Sequence, residues 1–278
     1  MKKLTHLSLC SGIGGIDLAA EWAGFVTVAQ CEIDEYASKV LAKNFKGVPN
    51  LHDIRTVTDE RIKQLGIGTP TVISAGFPCQ PYSLAGKGLG DRDERDLWGE
   101  VARVLGEVRP KWFVGENTPG LFARNNQRYF QRILDDLTAL GYTVGWGIWG
   151  ACDVGAPHRR DRVFIVARNA ESGRVYREIS DAVVKRRDQS EIQRREFEKG
   201  GAEENAGRVQ TCGMQFKRVC GGISGKREWW KTEPDVGRVV ARCPHRVDRL
   251  RCLGNAVVPQ QIYPIFEEIA KTEKGERK

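Results

Sequence analysis

Cys79 lies in the stretch SAGFPCQPYS, between Pro78 and Pro81 and just behind the apolar run Thr71–Ala75. A thiol held stiffly after a strand is either a small buried hydrophobe in a turn or a nucleophile aimed at a ligand. Glu116-Asn117 closes a second apolar run, KWFVGEN, and sets a carboxyl group where it could hold or pass a proton. The segment HRRDR carries Arg160 and Arg162, which on their own read as phosphate or salt-bridge partners. Each alone has a structural explanation.

A ligand site is suggested near the start of the chain. Gly12-Ile13-Gly14-Gly15 follows the short alternating run Leu4–Leu9, and a glycine turn there lets backbone approach a ligand closely. Glu32 lies 20 residues beyond Gly12, where a carboxylate could accept hydrogen bonds from a ribose diol. The spacing departs from the dinucleotide pattern G-x-G-x-x-G, because Gly15 follows Gly14 directly and Asp17 takes the sixth place. A nucleoside without a pyrophosphate suits such a turn better, and S-adenosyl-L-methionine is one. Asp53 could then meet the adenine amine, or simply cap a turn.

The elements that would position these residues alternate. Strand-like Leu4–Leu9 gives way to a helix-like stretch from Ile16 to Trp22, then to VTVAQCE and a helix around Tyr36 to Phe45. LHDI reads as a short third strand, and the run ending at Ala75 as a fourth. DLWGEVARVLGEV is an amphipathic helix, KWFVGEN a fifth strand, and NQRYFQRILDDLTAL another helix. Strand alternating with helix predicts an α/β fold with a doubly wound, mostly parallel sheet, whose ligands sit beyond the carboxyl ends of the strands. The glycine turn, Glu32, Asp53, Cys79 and Glu116 all fall on that rim. Near the end, GNAVVPQQIYPIFEEIAK predicts a turn followed by a helix from Gln260 to Lys271.

Composition changes near residue 168. Residues 169–251 carry 19 Lys or Arg against 13 Asp or Glu, and so supply most of the net charge of +8. This glycine-rich stretch lacks apolar periodicity and reads as a basic insert, in keeping with a polyanionic partner. The eight cysteines show no CxxC pair or regular framework. No signal-peptide pattern and no apolar run of membrane-span length stands out, so the expectation is a cytoplasmic chain with free thiols and no membrane partner.

CSGIGGIDLA, GFPCQPYS, GENTPGL, VGAPHRRDRVFIVA and RLRCLGNAVVPQ occur in the order and approximate spacing of the motifs of DNA cytosine-5 methyltransferases. The chain resembles that family over residues 4–168 and about 247–270. The resemblance implies the Rossmann-like fold of S-adenosylmethionine-dependent methyltransferases, with residues 1–168 and 247–278 as the catalytic domain. Residues 169–246 would form a smaller target-recognition domain. It implies Cys79 as nucleophile at C6 of a flipped cytosine, Glu116 as the group holding N3, and Arg160 and Arg162 at the same site, Arg162 on the base carbonyl. The implied cofactor set is Cys10, Gly12, Ile13, Gly14, Gly15, Glu32, Asp53, Ile54, Pro78, Asn255 and Val257, with S-adenosyl-L-methionine as cofactor. Gln80, Ser83, Lys87 and Arg92, in or beside the loop PYSLAGKGLGDRDERD, would contact double-stranded DNA. A monomer without metal is implied, with a cognate restriction endonuclease as a candidate partner. Cys10 stands where the family usually has an aromatic residue, His158 where it has Gln, and Thr118 ends what is usually ENV.

Four other readings remain open on sequence. An RNA methyltransferase of the same superfamily would use the same Cys79 and Glu116, although the Cys-Phe-Thr tripeptide of that branch is missing. A nicotinamide-dependent oxidoreductase is disfavoured by the glycine spacing. A catalytically silent DNA-binding module is disfavoured by the intact Cys79, Glu116 and Arg162. Zinc on Cys212, Cys220, Cys243 and His245 would have spacings that match no strong metal pattern.

Overall fold

The computed structural model describes residues 3–78, 96–123, 126–156, 158–169 and 244–275. Cys79, Gln80, Ser83, Lys87, Arg92 and positions 170–243 lie outside the described residues.

β1 (Thr5–Leu9) alternates Leu7 and Leu9 with His6 and Ser8, and all four are buried. Such a strand is covered on both faces, as expected inside a parallel sheet. It pairs in parallel with β2 (Val26–Cys31) and with β3 (Val72–Ala75), and β3 pairs in parallel with β4 (Trp112–Asn117). Beyond β4 the direction reverses. β6 (Arg162–Asn169) lies antiparallel to β4, and β5 (Tyr142–Trp149) lies antiparallel to β6 at the edge. The order is β2-β1-β3-β4-β6-β5.

The sheet divides the core in two. α1 (Gly15–Trp22) and the C-terminal α7 (Pro259–Lys274) cover one face, packing Ile16, Ala19, Ile262, Ile265 and Phe266 against Val72, Val114 and Phe164. α3 (Asp59–Gln64), α4 (Trp98–Val108) and α5 (Gln127–Ala139) cover the other, meeting Leu7, Leu9, Ile73, Phe113 and Ile165. α4 buries Trp98, Val101, Val104, Leu105 and Val108, a 3–4-residue spacing that puts them on one stripe. Each fully buried side chain of this size stabilises by ~1.5–3 kcal/mol. α2 (Glu35–Asn44) starts at an Asp34 cap that accepts from Ala37 N–H, and α6 (Arg246–Asn255) precedes α7 with no buried residue.

The structure departs from the sequence reading at three places. LHDI is no strand: the segment has one bridge, Gln30 to Asn50, then turns at His52 (φ 61°) into a 3-10 turn over Ile54–Thr56. Side-chain bonds from Asn50 and Asp53 satisfy backbone N–H groups that a ladder would otherwise take. Position 79 therefore follows the third strand and Glu116 ends the fourth. β5, rich in glycine, and its antiparallel partner β6 were not anticipated. Gly254-Asn255 ends α6 rather than forming a turn, while the helix expected from Gln260 to Lys271 is present within Pro259–Lys274. Among the described residues no helix is long and apolar enough to cross a membrane.

Candidate active site

The glycine turn divides its labour. Cys10, Gly12 and Gly14 all have positive φ (50°, 56° and 87°), which swings the chain sharply from β1 into α1. A Cβ at Gly14 would strike the Phe45 ring, and one at Gly15 would stand 2.5 Å from the Val257 carbonyl oxygen. Both are glycines because the protein packs against them. A Cβ at Gly12 would meet nothing within 4 Å, and Gly12 lines the cavity described below. Gly12 alone keeps room for a ligand.

Glu32 follows β2 and faces that turn. Its Oε2 accepts from Gly12 N–H at 2.8 Å and its Oε1 from Asp34 N–H at 2.8 Å. Burial raises its pKa, and the two N–H bonds pull the other way. Each oxygen keeps a second lone pair, so a vicinal diol would fit this carboxylate. Asp53 also borders the cavity, but its carboxylate caps Arg55 N–H and pairs with the Arg55 guanidinium at 2.9 Å. The hydrogen bonds from Arg55 hold it below the usual carboxylate range.

Glu116, at the end of β4, lies 2.8 Å from Arg162 Nε with both side chains largely buried. The N–H does not point along that vector, so Oε1 has an ionic contact and no aligned hydrogen bond among the described residues. Burial pushes Glu116 up to about 7, against the opposing pull of Arg162 and Arg160. At neutral pH the carboxyl is poised to give or take a proton. Asn117 Nδ2 donates to the Phe77 carbonyl at 3.1 Å, fixing the end of β4 against the segment that leads through Pro78 to position 79.

One open cavity of about 680 Å³ joins the two regions. Among the predicted residues, Cys10, Gly12, Glu32, Asp53, Ile54, Pro78, Asn255, Glu116 and Arg162 line it. Ile13, Gly14, Gly15 and Val257 do not, and Val257 is a core residue packed under α1. Arg160 is also set apart. Its positive φ (38°) turns it out of line with Arg162, and its guanidinium donates to the carbonyls of Leu253 (3.2 Å), Gly254 (2.7 Å) and Ala256. It reaches Glu116 through charge and clamps the junction of α6 and α7, where Gly254 and Asn255 face the cavity.

Sequence reasoning missed several lining residues. Ile33, 65% exposed, sits beside Glu32 on the predicted rim and could have been found there. Arg251 and Cys252 arrive from α6, and Arg251 bonds Asp34 at 2.6 Å across the cavity mouth. Nothing local in the sequence marks that contact. Cys10, Cys31 and Cys252 all line the cavity as free thiols. Burial, reinforced by nearby carboxylates, raises all three, Cys31 to about 12, so they stay protonated and make poor nucleophiles.

The chain is similar to known proteins in sequence and fold. The family model described as C-5 cytosine-specific DNA methylase matches residues 4–220. The type II methyltransferase M.NgoBI of Neisseria gonorrhoeae is 40% identical over 161 residues, covering 58% of this chain and 49% of that protein. M.HaeII of Haemophilus aegyptius is 38% identical over 167 residues, covering 60% and 51%. The chain thus spans about half the length of these curated relatives. Among solved structures, an E. coli prophage-encoded protein described as a DNA modification methyltransferase superposes with a TM-score of 0.55 at 27% identity, covering 64% of this chain and 50% of that one. Spodoptera frugiperda DNMT2 gives 0.51 at 27% identity, covering 60% and 50%. The fold is that of the α/β Rossmann-like methyltransferases, and the chain belongs to the C-5 cytosine-specific DNA methylase family.

Proposed function

We propose that the protein is a DNA (cytosine-5-)-methyltransferase that moves a methyl group from S-adenosyl-L-methionine to C5 of a cytosine in a short duplex sequence. One observation carries the reading. Glu116, held near neutrality by burial beside Arg162, shares a cavity with the Gly12–Glu32 cradle and with the segment that ends at Pro78, next to Cys79.

The residues divide the work. Glu32 accepts from the ribose hydroxyls, Gly12 leaves space for the nucleoside, and Asp53 and Ile54 border the adenine side. When bound, S-adenosyl-L-methionine supplies an electrophilic methyl group on a sulfonium. C5 of cytosine is a weak nucleophile until a thiolate adds to C6. Cys79 makes that bond, and Glu116 in its acid form gives a proton to N3, so the ring becomes an enamine with electron density at C5. Arg162 holds Glu116 and the base carbonyl. After methylation, water or hydroxide removes the C5 proton, the Cys79–C6 bond breaks by elimination, and the N3 proton returns to Glu116. Both faces of the ring are hidden in a duplex, so the nucleotide must first be flipped out. The basic stretch 169–246 is read as the target-recognition domain, and Gln80, Ser83, Lys87 and Arg92 as contacts to the DNA. The chain is read as a monomer, with a cognate restriction endonuclease as its candidate partner.

The test is transfer of labelled methyl from S-adenosyl-L-methionine to mixed-sequence duplex DNA, with Cys79→Ala beside the wild type and base-resolved detection of 5-methylcytosine. Label in cytosines of one short motif, lost in the variant, is expected. Binding without labelling of DNA would overturn the reading, and RNA would then be offered as substrate.

A further inference from the structure

The segment Pro49–Arg55 lines the cavity through His52, Asp53, Ile54 and Arg55, yet almost no sheet holds it in place. Its ladder consists of Gln30 N–H to the Pro49 carbonyl (2.9 Å) and Leu51 N–H to the Gln30 carbonyl (2.7 Å). Two residues beyond Gln30, at Glu32 just past the end of β2, where the next pair of bonds would fall, the side chain of Asn50 takes over. Its Oδ1 accepts from Glu32 N–H at 3.0 Å, and its Nδ2 donates to the Glu32 carbonyl at 3.0 Å. An amide side chain thus grips both backbone groups of Glu32, as the peptide groups of a neighbouring strand would. The remaining capacity is also used. Oδ1 accepts from His52 N–H at 3.0 Å, and Nδ2 donates to Ser38 Oγ at 2.9 Å.

We infer that Asn50 is a positioning residue for the nucleoside end of the methyl donor, fixing Glu32 and residues 52–55 relative to each other. The inference rests on the cofactor reading given above. The Glu32 carboxylate is aimed by its own backbone and by Gly12 and Asp34 N–H. The backbone of Glu32 is aimed by Asn50. Removing the amide breaks the side-chain tie between the Glu32 backbone and His52 N–H, leaving Ser38 Oγ on the Glu32 carbonyl (3.0 Å), Cys31 Sγ on the His52 carbonyl (3.2 Å) and Arg103 Nη2 on the Ile54 carbonyl (3.0 Å), whereas the Glu116–Arg162 side keeps its supports from β4 and β6. The loss should therefore fall on cofactor affinity and spare the chemical step.

The experiment measures calorimetric Kd for S-adenosylhomocysteine, and KM and kcat for S-adenosyl-L-methionine, on the full chain. Asn50→Ala is expected to raise Kd and KM at least tenfold, with kcat at saturation and KM for DNA within about twofold of wild type. Asn50→Asp keeps the shape and both accepting bonds but loses both donations. It guards against a misfolded Ala variant and is expected to raise Kd at least fivefold. Ser38→Ala removes the Ser38 Oγ bonds to the Glu32 carbonyl (3.0 Å) and from Asn50 Nδ2 (2.9 Å) but leaves both Asn50 bonds to the Glu32 backbone, and should raise Kd less than either Asn50 variant. Folded Asn50 variants with wild-type Kd, or with unchanged Kd and reduced kcat, overturn the inference alone. A wild-type chain that does not bind S-adenosylhomocysteine overturns the cofactor reading and this inference with it.

Discussion

Glu116→Gln separates the two consequences of burying one carboxyl group. In the folded chain Glu116 sits at about 7, against an ordinary value of 4.5, chiefly because burial penalises its charged form. Its folded pKa is above its unfolded one. The stability it contributes is therefore fully present below about pH 4.5 and is lost as pH rises through about 7. At about 1.4 kcal/mol per pH unit, the gap between the two values corresponds to ~3 kcal/mol. Glutamine cannot ionise, so the variant lacks this loss. It also leaves Arg162 without a carboxylate, but the attraction of Arg162 for ionised Glu116 is already contained in the folded wild-type value and needs no separate allowance. The assay is urea unfolding of both proteins at steps from pH 4 to 8. The wild-type free energy minus that of the variant should fall by about 3 kcal/mol across the range, mostly between pH 5 and 7.5. Parallel profiles would refute the argument that burial, and not the fold at large, sets this group's protonation. Turnover should meanwhile fall by about 10²–10⁴, the usual contribution of a positioned acid.

Asp17, on the buried face of α1, accepts from Ser8 Oγ (3.0 Å) and Gln30 Nε2 (2.9 Å), yet burial still raises it from 3.8 to about 6. Asp17→Asn should flatten the unfolding profile between pH 4 and 8 by about 2 kcal/mol, again removing a loss that grows as pH rises through the folded value; an unchanged profile would count against it. Gly12→Ala and Gly15→Ala should fail differently. The first places a methyl in open cavity space at a cost of about 1–2 kcal/mol for the left-handed backbone, and should weaken S-adenosylhomocysteine binding at least tenfold. The second drives a Cβ into the Val257 carbonyl and should cost about 1–3 kcal/mol in thermal unfolding. The opposite ranking would refute the division of labour in the turn.

The rim residues were legible in the sequence for a physical reason. In a parallel sheet each strand's carboxyl end emerges on one edge, so Gly12, Glu32 and Glu116, each just after or at the end of an apolar run, had to fall together. The signal failed where local chemistry imitated a strand. LHDI has strand-like character, but the Asn50 and Asp53 side chains supply the bonds that a ladder would. Arg160 and Arg162 look equivalent in HRRDR, and a single left-handed backbone angle assigns one to the α6–α7 junction and the other to Glu116.

The sequence by itself determined the alternating α/β architecture, the rim on which the chemistry collects and the residue types available there, because periodicity and strand direction are local properties. Only the tertiary structure decided which of those residues share a cavity, which glycine serves a ligand and which serves packing, and how far Glu116 moves from its ordinary pKa. Those outcomes depend on burial and on partners remote in the chain: Arg162 for Glu116, Val257 for Gly15, and Arg251 for Asp34. No window of neighbouring residues contains them.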